Sequence, residues 1–139
     1  MTAKAYLQRA LWLKGQIEKL GENIFAIRQT MESVSGVRYD KINVQTSPEG
    51  DAILNYIVQL QRAEQKMVEL QVRYYETYAE IEERIEMIQN SLHRQILTMR
   101  YLQGMSLMKI ADKLGYSHLY VKNMHGQALR EFSKLIDFC

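Results

Sequence analysis

Residues 107–129, LMKIADKLGYSHLYVKNMHGQAL, decide how the rest of the chain is read. Steps of three and four within each half bring Ile110 and Leu114 to one face of a first helix, and Val121 and Met124 to one face of a second. Tyr116 is expected to face inward with them. Ala111 is small where two helices have to cross closely. Gly115 suits the left-handed backbone that ends one helix before the next begins. Ser117 stands where the second helix wants an N-cap, with a hydroxyl able to accept from the first amides that follow. These positions have different jobs and agree on one unit, a helix-turn-helix.

Working outward, Ser106 caps the helix that starts at Leu107. Lys109, three positions on, replaces the acidic residue that would close a capping box, but it can neutralise a phosphate near the helix start. Upstream, Leu92, Ile96, Leu97, Met99 and Leu102 give a leading helix, which Gln103-Gly104 ends. Downstream, Leu129, Phe132, Leu135 and Ile136 supply a closing apolar face. Gly126 lowers helix propensity, and close contact with another helix would be one reason to keep it.

Charge follows the same division. Residues 1–90 carry 11 basic and 13 acidic side chains, residues 91–139 carry 7 and 3, and all three histidines lie in the second group. A basic end on an acidic chain is the electrostatic footprint of a nucleic-acid-binding module. It coincides here with the helix-turn-helix.

The first 90 residues read as two helices. Tyr6, Ala10, Leu13, Ile17, Leu20, Ile24, Ile27 and Met31 alternate steps of four and three, a heptad seam that Leu7, Leu11 and Phe25 widen toward bundle packing. Gly15 and Gly21 allow a close approach or a bend. Trp12 is either a surface aromatic or a buried one, with burial favoured. Residues 33–47 break the pattern and read as a connector, in which Val37, Tyr39, Ile42 and Val44 could make a brief extended segment. Thr46 or Ser47 then caps a helix with Pro48 in its first turn, and Glu49 and Asp51 complement its positive end.

That helix carries Ile53, Ile57, Leu60, Glu64, Met67, Gln71, Tyr74, Tyr78, Ile81, Ile85, Ile88 and Leu92 in the same rhythm. At 1.5 Å per residue it spans roughly 60–65 Å against roughly 45–48 Å for the first helix. The two are expected to pair antiparallel. The surplus of the second then needs another partner, either a second copy of the chain or the C-terminal module. Tyr74 and Tyr78 lie on the seam, so core packing is favoured over base stacking for the group Tyr74, Tyr75 and Tyr78. The run Glu76, Glu80, Glu82, Glu83 and Glu86 reads as a solvated face, with docking of a basic partner as the alternative.

Other classes find little support. There is no glycine-rich phosphate loop, nucleophile elbow or HExxH, so no catalysis is expected. One cysteine, Cys139, and three histidines do not make a zinc site, and no cofactor is expected. Neither a membrane-length apolar run nor a signal-peptide core is present, and a cytoplasmic location is expected.

Residues 94–132, RQILTMRYLQGMSLMKIADKLGYSHLYVKNMHGQALREF, resemble region 4 of the bacterial primary sigma factors. There a helix ending in an LRY turn precedes an IA-x-x-LG-x-S helix-turn-helix with a terminal AL-R. The stretch is still more similar to sigma-region-4-like proteins of Gram-positive phages and prophages. These include autolysin-regulator-type late transcription activators and a related phage family of unknown function. The MTAKAYL start, Thr46-Ser47-Pro48, and His125-Gly126 before Gln127-Ala128-Leu129 are similar to that last group.

The two heptad seams and the helix-turn-helix together give the expected fold, an all-α protein: a long antiparallel, coiled-coil-like helical hairpin over 1–90, for packing or oligomerisation, followed by the helix-turn-helix over 91–139. The resemblance adds the function. It implies sequence-specific binding of double-stranded DNA in transcription regulation of late phage genes, inside the bacterial host cell. The recognition helix would run from His118 to about Leu129, with His118, Leu119, Lys122 and Asn123 meeting base edges in the major groove. Sigma factors usually carry charged residues at the first two of these positions. Leu119 offers no hydrogen bond and can only touch a thymine methyl. Asn123 can pair bidentately with adenine, and Lys122 can take guanine or a phosphate. Ser117 caps beside them. Lys109, Lys113, Arg100 and Arg130 would hold the backbone. Tyr120 either gives its hydroxyl to a phosphate or covers the core edge, and His125 packs behind the reading face. Candidate partners besides DNA are host RNA polymerase and a second copy joined through the hairpin. A polymerase-docking interaction factor and a terminase-like packaging protein are the alternative functions.

Overall fold

The computed structural model describes residues 1–36 and 48–135, with side chains over 1–33 and 50–135. All regular structure in it is helical: α1 (Ala3–Leu7), α2 (Arg9–Gly36), α3 (Pro48–Glu86), α4 (Ser91–Leu97), α5 (Leu107–Leu114) and α6 (His118–Leu135), with a π-helical turn at Thr98–Leu102 after α4. The all-α expectation holds, and Pro48 opens α3. Helix α2 runs on through residues 33–36, where the sequence pattern breaks and a connector is expected to begin. The rest of that connector, residues 37–47, the caps assigned to Thr46 or Ser47, and the roles given to Ile136 and Cys139 lie outside the described residues.

The single N-terminal helix expected from the sequence is divided at Gln8. Thr2 caps α1, its hydroxyl accepting from the Ala5 amide, and α2 follows one residue after α1 ends. The heptad seam survives the division. Tyr6, Ala10, Leu13 and Ile24 are buried, and Ile17, Leu20, Ile27 and Met31 are half-buried. Trp12 departs from expectation. Lying off the seam, it is 60% exposed rather than buried.

By packing, the chain forms two compact units, Gly15–Val72 and Met1–Lys14 with Arg73–Cys139. In the first, α2 and α3 run antiparallel. Arg28 meets Glu64 at 2.5 Å, and a Cβ built at Gly21 would lie 3.7 Å from the end of Met67. Glu64 on the seam is therefore paired, whereas Gln71 is exposed. Among the described residues of this unit, Ile24 and Ala63 are the buried apolar ones.

The second unit holds most of the core. Ala3, Tyr6, Leu7 and Ala10 from the N-terminal helices pack with Ile81 and Ile85 from the end of α3 and Ile88 just beyond it, with Leu97, Tyr101 and Leu102, and with Ala128 and Phe132 of α6. Tyr74, Tyr78 and Leu129 close its edge, so two of the three clustered tyrosines do pack on core, while Tyr75 is 69% exposed. The Tyr6 ring lies 5.8 Å from that of Phe132 and carries the Arg9 guanidinium 4.2 Å from its centroid. Arg9 also reaches Glu80 at 2.5 Å, and this hydrogen bond holds the Glu80 carboxyl below its ordinary range. The surplus apolar stripe of α3 is thus covered by the chain's own two ends. Residue 90 falls inside this unit, as the cap of α4, with its side-chain oxygen accepting from the amides of Leu92 and His93.

A second, smaller cluster joins Ile96, Ile110, Ala111 and Val121, with Leu92, Met99, Met105, Leu107, Leu114 and Met124 around it. Helices α4 and α6 each give residues to both clusters, Ile96 and Leu97 on α4, Val121 and Phe132 on α6. The two cores therefore share walls.

Candidate nucleic-acid interface

Sequence chemistry builds the helix-turn-helix one junction at a time. After α4 the backbone widens into the π-helical turn, with the Gln103 amide bonding to the Thr98 carbonyl. Gly104 then takes φ +70°, a left-handed value, and a Cβ there would meet Leu11 at 3.4 Å. Ser106 caps α5 by accepting from the Lys109 amide at 3.2 Å. At the other end of α5, Gly115 turns left-handed at φ +78°, and its amide and that of Tyr116 both bond to the Ala111 carbonyl. Ser117 then caps α6, accepting from the Tyr120 amide at 3.1 Å. Each cap satisfies amides left open at a helix start, worth about 1 kcal/mol apiece.

Beyond these caps, α6 buries Val121, Ala128 and Phe132 and turns its other face outward. His118, Leu119, Tyr120, Lys122 and Asn123 are all exposed, Leu119 at 67%. Ser117 is exposed beside them. Lys109 and Lys113 on α5 and Arg130 on α6 are exposed too. Arg100 is half-buried, and its Nη1 donates to the Met105 carbonyl, bracing the turn before α5. Of the acidic residues between positions 91 and 135, Asp112 and Glu131, the second is turned back to hydrogen-bond the buried His93 Nδ1. Its carboxylate is therefore engaged by the His93 ring.

Two departures from the sequence reading bear on this surface. Tyr116, expected to point inward, is 46% exposed and lies against Tyr120, ring centroids 4.9 Å apart. It sits between Gly115 and Ser117, outside either helix, so helical spacing does not govern its direction. Met108 on α5 is also exposed, at 63%, lying off the face that Leu107, Ile110, Ala111 and Leu114 turn to the core. Secondly, α6 does not stop near Leu129. The stretch expected as a recognition helix and the closing apolar face are one helix of 18 residues, continuous through Gly126, where a Cβ would meet nothing within 4 Å among the described residues. Close helix contact therefore does not account for this glycine. Leu135, assigned to the closing face, is 47% exposed.

His125 packs behind the exposed face. Its ring stacks on Tyr101 at 26°, centroids 5.6 Å apart, with Nε2 2.7 Å from the Tyr101 hydroxyl. Burial, then the nearby Arg100 and Lys4 charges, lower its pKa from the ordinary 6.5. Among the described residues no group of three or more His, Cys, Asp and Glu side chains could hold a metal ion, and no helix is long and apolar enough to cross a membrane.

No curated protein and no solved structure matches the chain. Residues 90–133, spanning the α4 cap, the π-helical turn, α5 and most of α6, match the family model for Sigma-70, region 4, and so form a sigma-region-4-like helix-turn-helix of the DNA-binding kind.

Proposed function

We propose that this protein is a sequence-specific double-stranded DNA-binding regulator of phage or prophage late transcription, acting in the host cytoplasm as a homodimer joined through its helical hairpin. The observation that carries DNA recognition is the outward face of α6. Directly after the Ser117 cap it exposes His118, Leu119, Lys122 and Asn123 together, within the segment that matches sigma region 4. In the major groove Asn123 reads adenine, Leu119 lies against a thymine methyl, and Lys122 takes guanine or a phosphate. Lys109, Lys113 and Arg130 hold the backbone, Tyr120 adds its hydroxyl there, and Arg100 contributes charge from a braced position. The test is anisotropy titration of the full chain on duplexes selected from a random pool, at several salt concentrations. With four to six phosphates neutralised, log affinity falls against log salt with a slope of about −4 to −5 per protomer. A slope near zero, or no selected duplex, overturns the reading.

A second reading keeps the module but changes its target. Met108, Tyr116, Leu119 and Tyr120 are exposed large side chains clustered in sequence around the turn, more apolar than a phosphate-binding surface needs. They favour docking on a protein, with host RNA polymerase as that partner. Co-purification with polymerase in the absence of DNA supports it, and loss of that association in Leu119→Ala locates the contact.

A further inference from the structure

Helix α3 carries a second stripe, beside the seam that faces α2. Each member follows a seam residue by one position: Leu54, Val58, Gln61, Gln65, Val68 and Val72. All six are exposed, the apolar four at 60, 44, 58 and 51%, so among the described residues nothing covers them. A helix of a solitary hairpin needs only one apolar face. The order along the stripe is also symmetric. Read from either end it runs two apolar residues, two glutamines and two apolar residues, with identical spacing about position 63.

We infer that this stripe is a homodimer interface in which α3 packs antiparallel on α3 of a second copy, about a two-fold axis passing near position 63. The inference deepens the homodimer part of the proposed function and rests on it; it is independent of DNA binding. An isologous two-fold interface needs a surface complementary to itself under reversal, and the spacing supplies that. Leu54 then meets Val72 of the other copy, Val58 meets Val68, and Gln61 meets Gln65, whose amides can each donate and accept across the axis. A parallel pairing or an unrelated partner gives no reason for the reversal symmetry.

Charge on the flank agrees. Arg62 and Glu69 are exposed on the same side of the stripe. Helical side chains lean toward the N-terminus, so in an antiparallel pair Arg62 and the second copy's Glu69 lean toward each other, twice by symmetry. The two Arg62 side chains nearest the axis lean apart. Size agrees as well. From position 54 to 72 the stripe is roughly 27 Å long, and two helices in contact over that length bury roughly 1,000–1,200 Å², at the lower edge of specific interfaces.

Sedimentation velocity of the full chain without DNA tests this. The wild type is expected near twice its 16.4 kDa chain mass. Val58→Glu and Val68→Lys each place an unpaired charge in the contact and raise the dimer dissociation constant by about tenfold or more. The double variant Val58→Glu, Val68→Lys sets the two new charges opposite one another at both ends and returns to within about threefold of the wild type. Both substitutions raise helix propensity at exposed positions, so the helical circular dichroism of the monomer is unchanged. A dimer indifferent to both single substitutions leaves the homodimer standing and overturns the stripe. A double variant as weak as the single ones overturns the antiparallel register. A chain monomeric at every concentration, whether residues 37–47 or another protein cover the stripe, overturns both the dimer and the inference.

Discussion

The Tyr101 hydroxyl lies 2.7 Å from His125 Nε2, with the two rings stacked, so the last residue but one of the π-helical turn is tied to the inner face of α6. With His125 neutral, the phenol donates and the imidazole accepts. Burial first, and then the Arg100 and Lys4 charges, disfavour the imidazolium and lower the His125 pKa in the folded chain. The unfolded chain takes up the proton more readily, so lowering pH favours unfolding. The stability contributed by neutral His125 is fully present above about pH 6.5 and is lost as pH falls from there through the folded pKa.

Thermal melts of wild type and His125→Gln at pH 7.5 and at pH 5.5 check this. The wild type is expected to lose more of its melting temperature over that interval than the variant. Equal losses would mean that His125 does not titrate differently on unfolding. A separate decline belongs to Glu80, whose carboxyl the Arg9 hydrogen bond holds low. Its contribution is present above about pH 4.5 and is lost as pH falls through the depressed value, so Glu80→Gln flattens only the acid limb.

Gly115 and Gly126 are expected to respond to the same substitution with opposite signs. Neither has an atom within 4 Å of a built Cβ among the described residues, so backbone conformation alone decides. Gly115 sits at φ +78°, and Gly115→Ala is expected to cost about 1–2 kcal/mol. Gly126 is inside α6, where Gly126→Ala is expected to gain about 0.5–1 kcal/mol. Urea unfolding measures both. A loss at position 126 would overturn the argument that helix propensity alone decides there.

The helix-turn-helix depends on residues at the far end of the sequence. Leu7 is fully buried in the cluster that holds Ala128 and Phe132 of α6. Leu7→Ala is expected to destabilise by about 2–5 kcal/mol. It is expected also to lower the melting temperature of the whole second unit in one transition, although it lies more than 80 residues from α4 in sequence. An independently melting head over 91–139 would produce a second transition insensitive to Leu7, and a single shared transition excludes that.

Local chemistry explains what was legible. The caps at Ser106 and Ser117, the left-handed turn at Gly115 and the seam through Tyr6, Ala10, Leu13 and Ile24 each depend on neighbours within a few positions, where sequence spacing and spatial spacing agree. The docking of Ala3, Tyr6 and Leu7 onto Phe132 was not legible, because an amphipathic stripe declares that it needs a partner without naming one. Tyr116 and Trp12 failed for related reasons. One lies between helices, where no periodicity applies, and the other lies one position away from the seam, off its apolar face.

The roles proposed for Asn123 and Lys109 separate in a single experiment. Both are exposed, but one follows the Ser117 cap on the outward face of α6 and the other gives its amide to the Ser106 cap at the start of α5. An amide that pairs with a base edge carries sequence information, whereas an ammonium on a phosphate carries only charge. Asn123→Ala is therefore expected to relax preference at one base pair by about 1–3 kcal/mol and to leave the salt slope unchanged. Lys109→Ala is expected to weaken all sequences alike and to reduce the slope by about 1. The check is affinity for the selected duplex and a panel of single-base variants, each at three salt concentrations. Should Asn123→Ala weaken every duplex equally, α6 is not reading bases at that position, and protein docking through Leu119 becomes the better account of its exposed face.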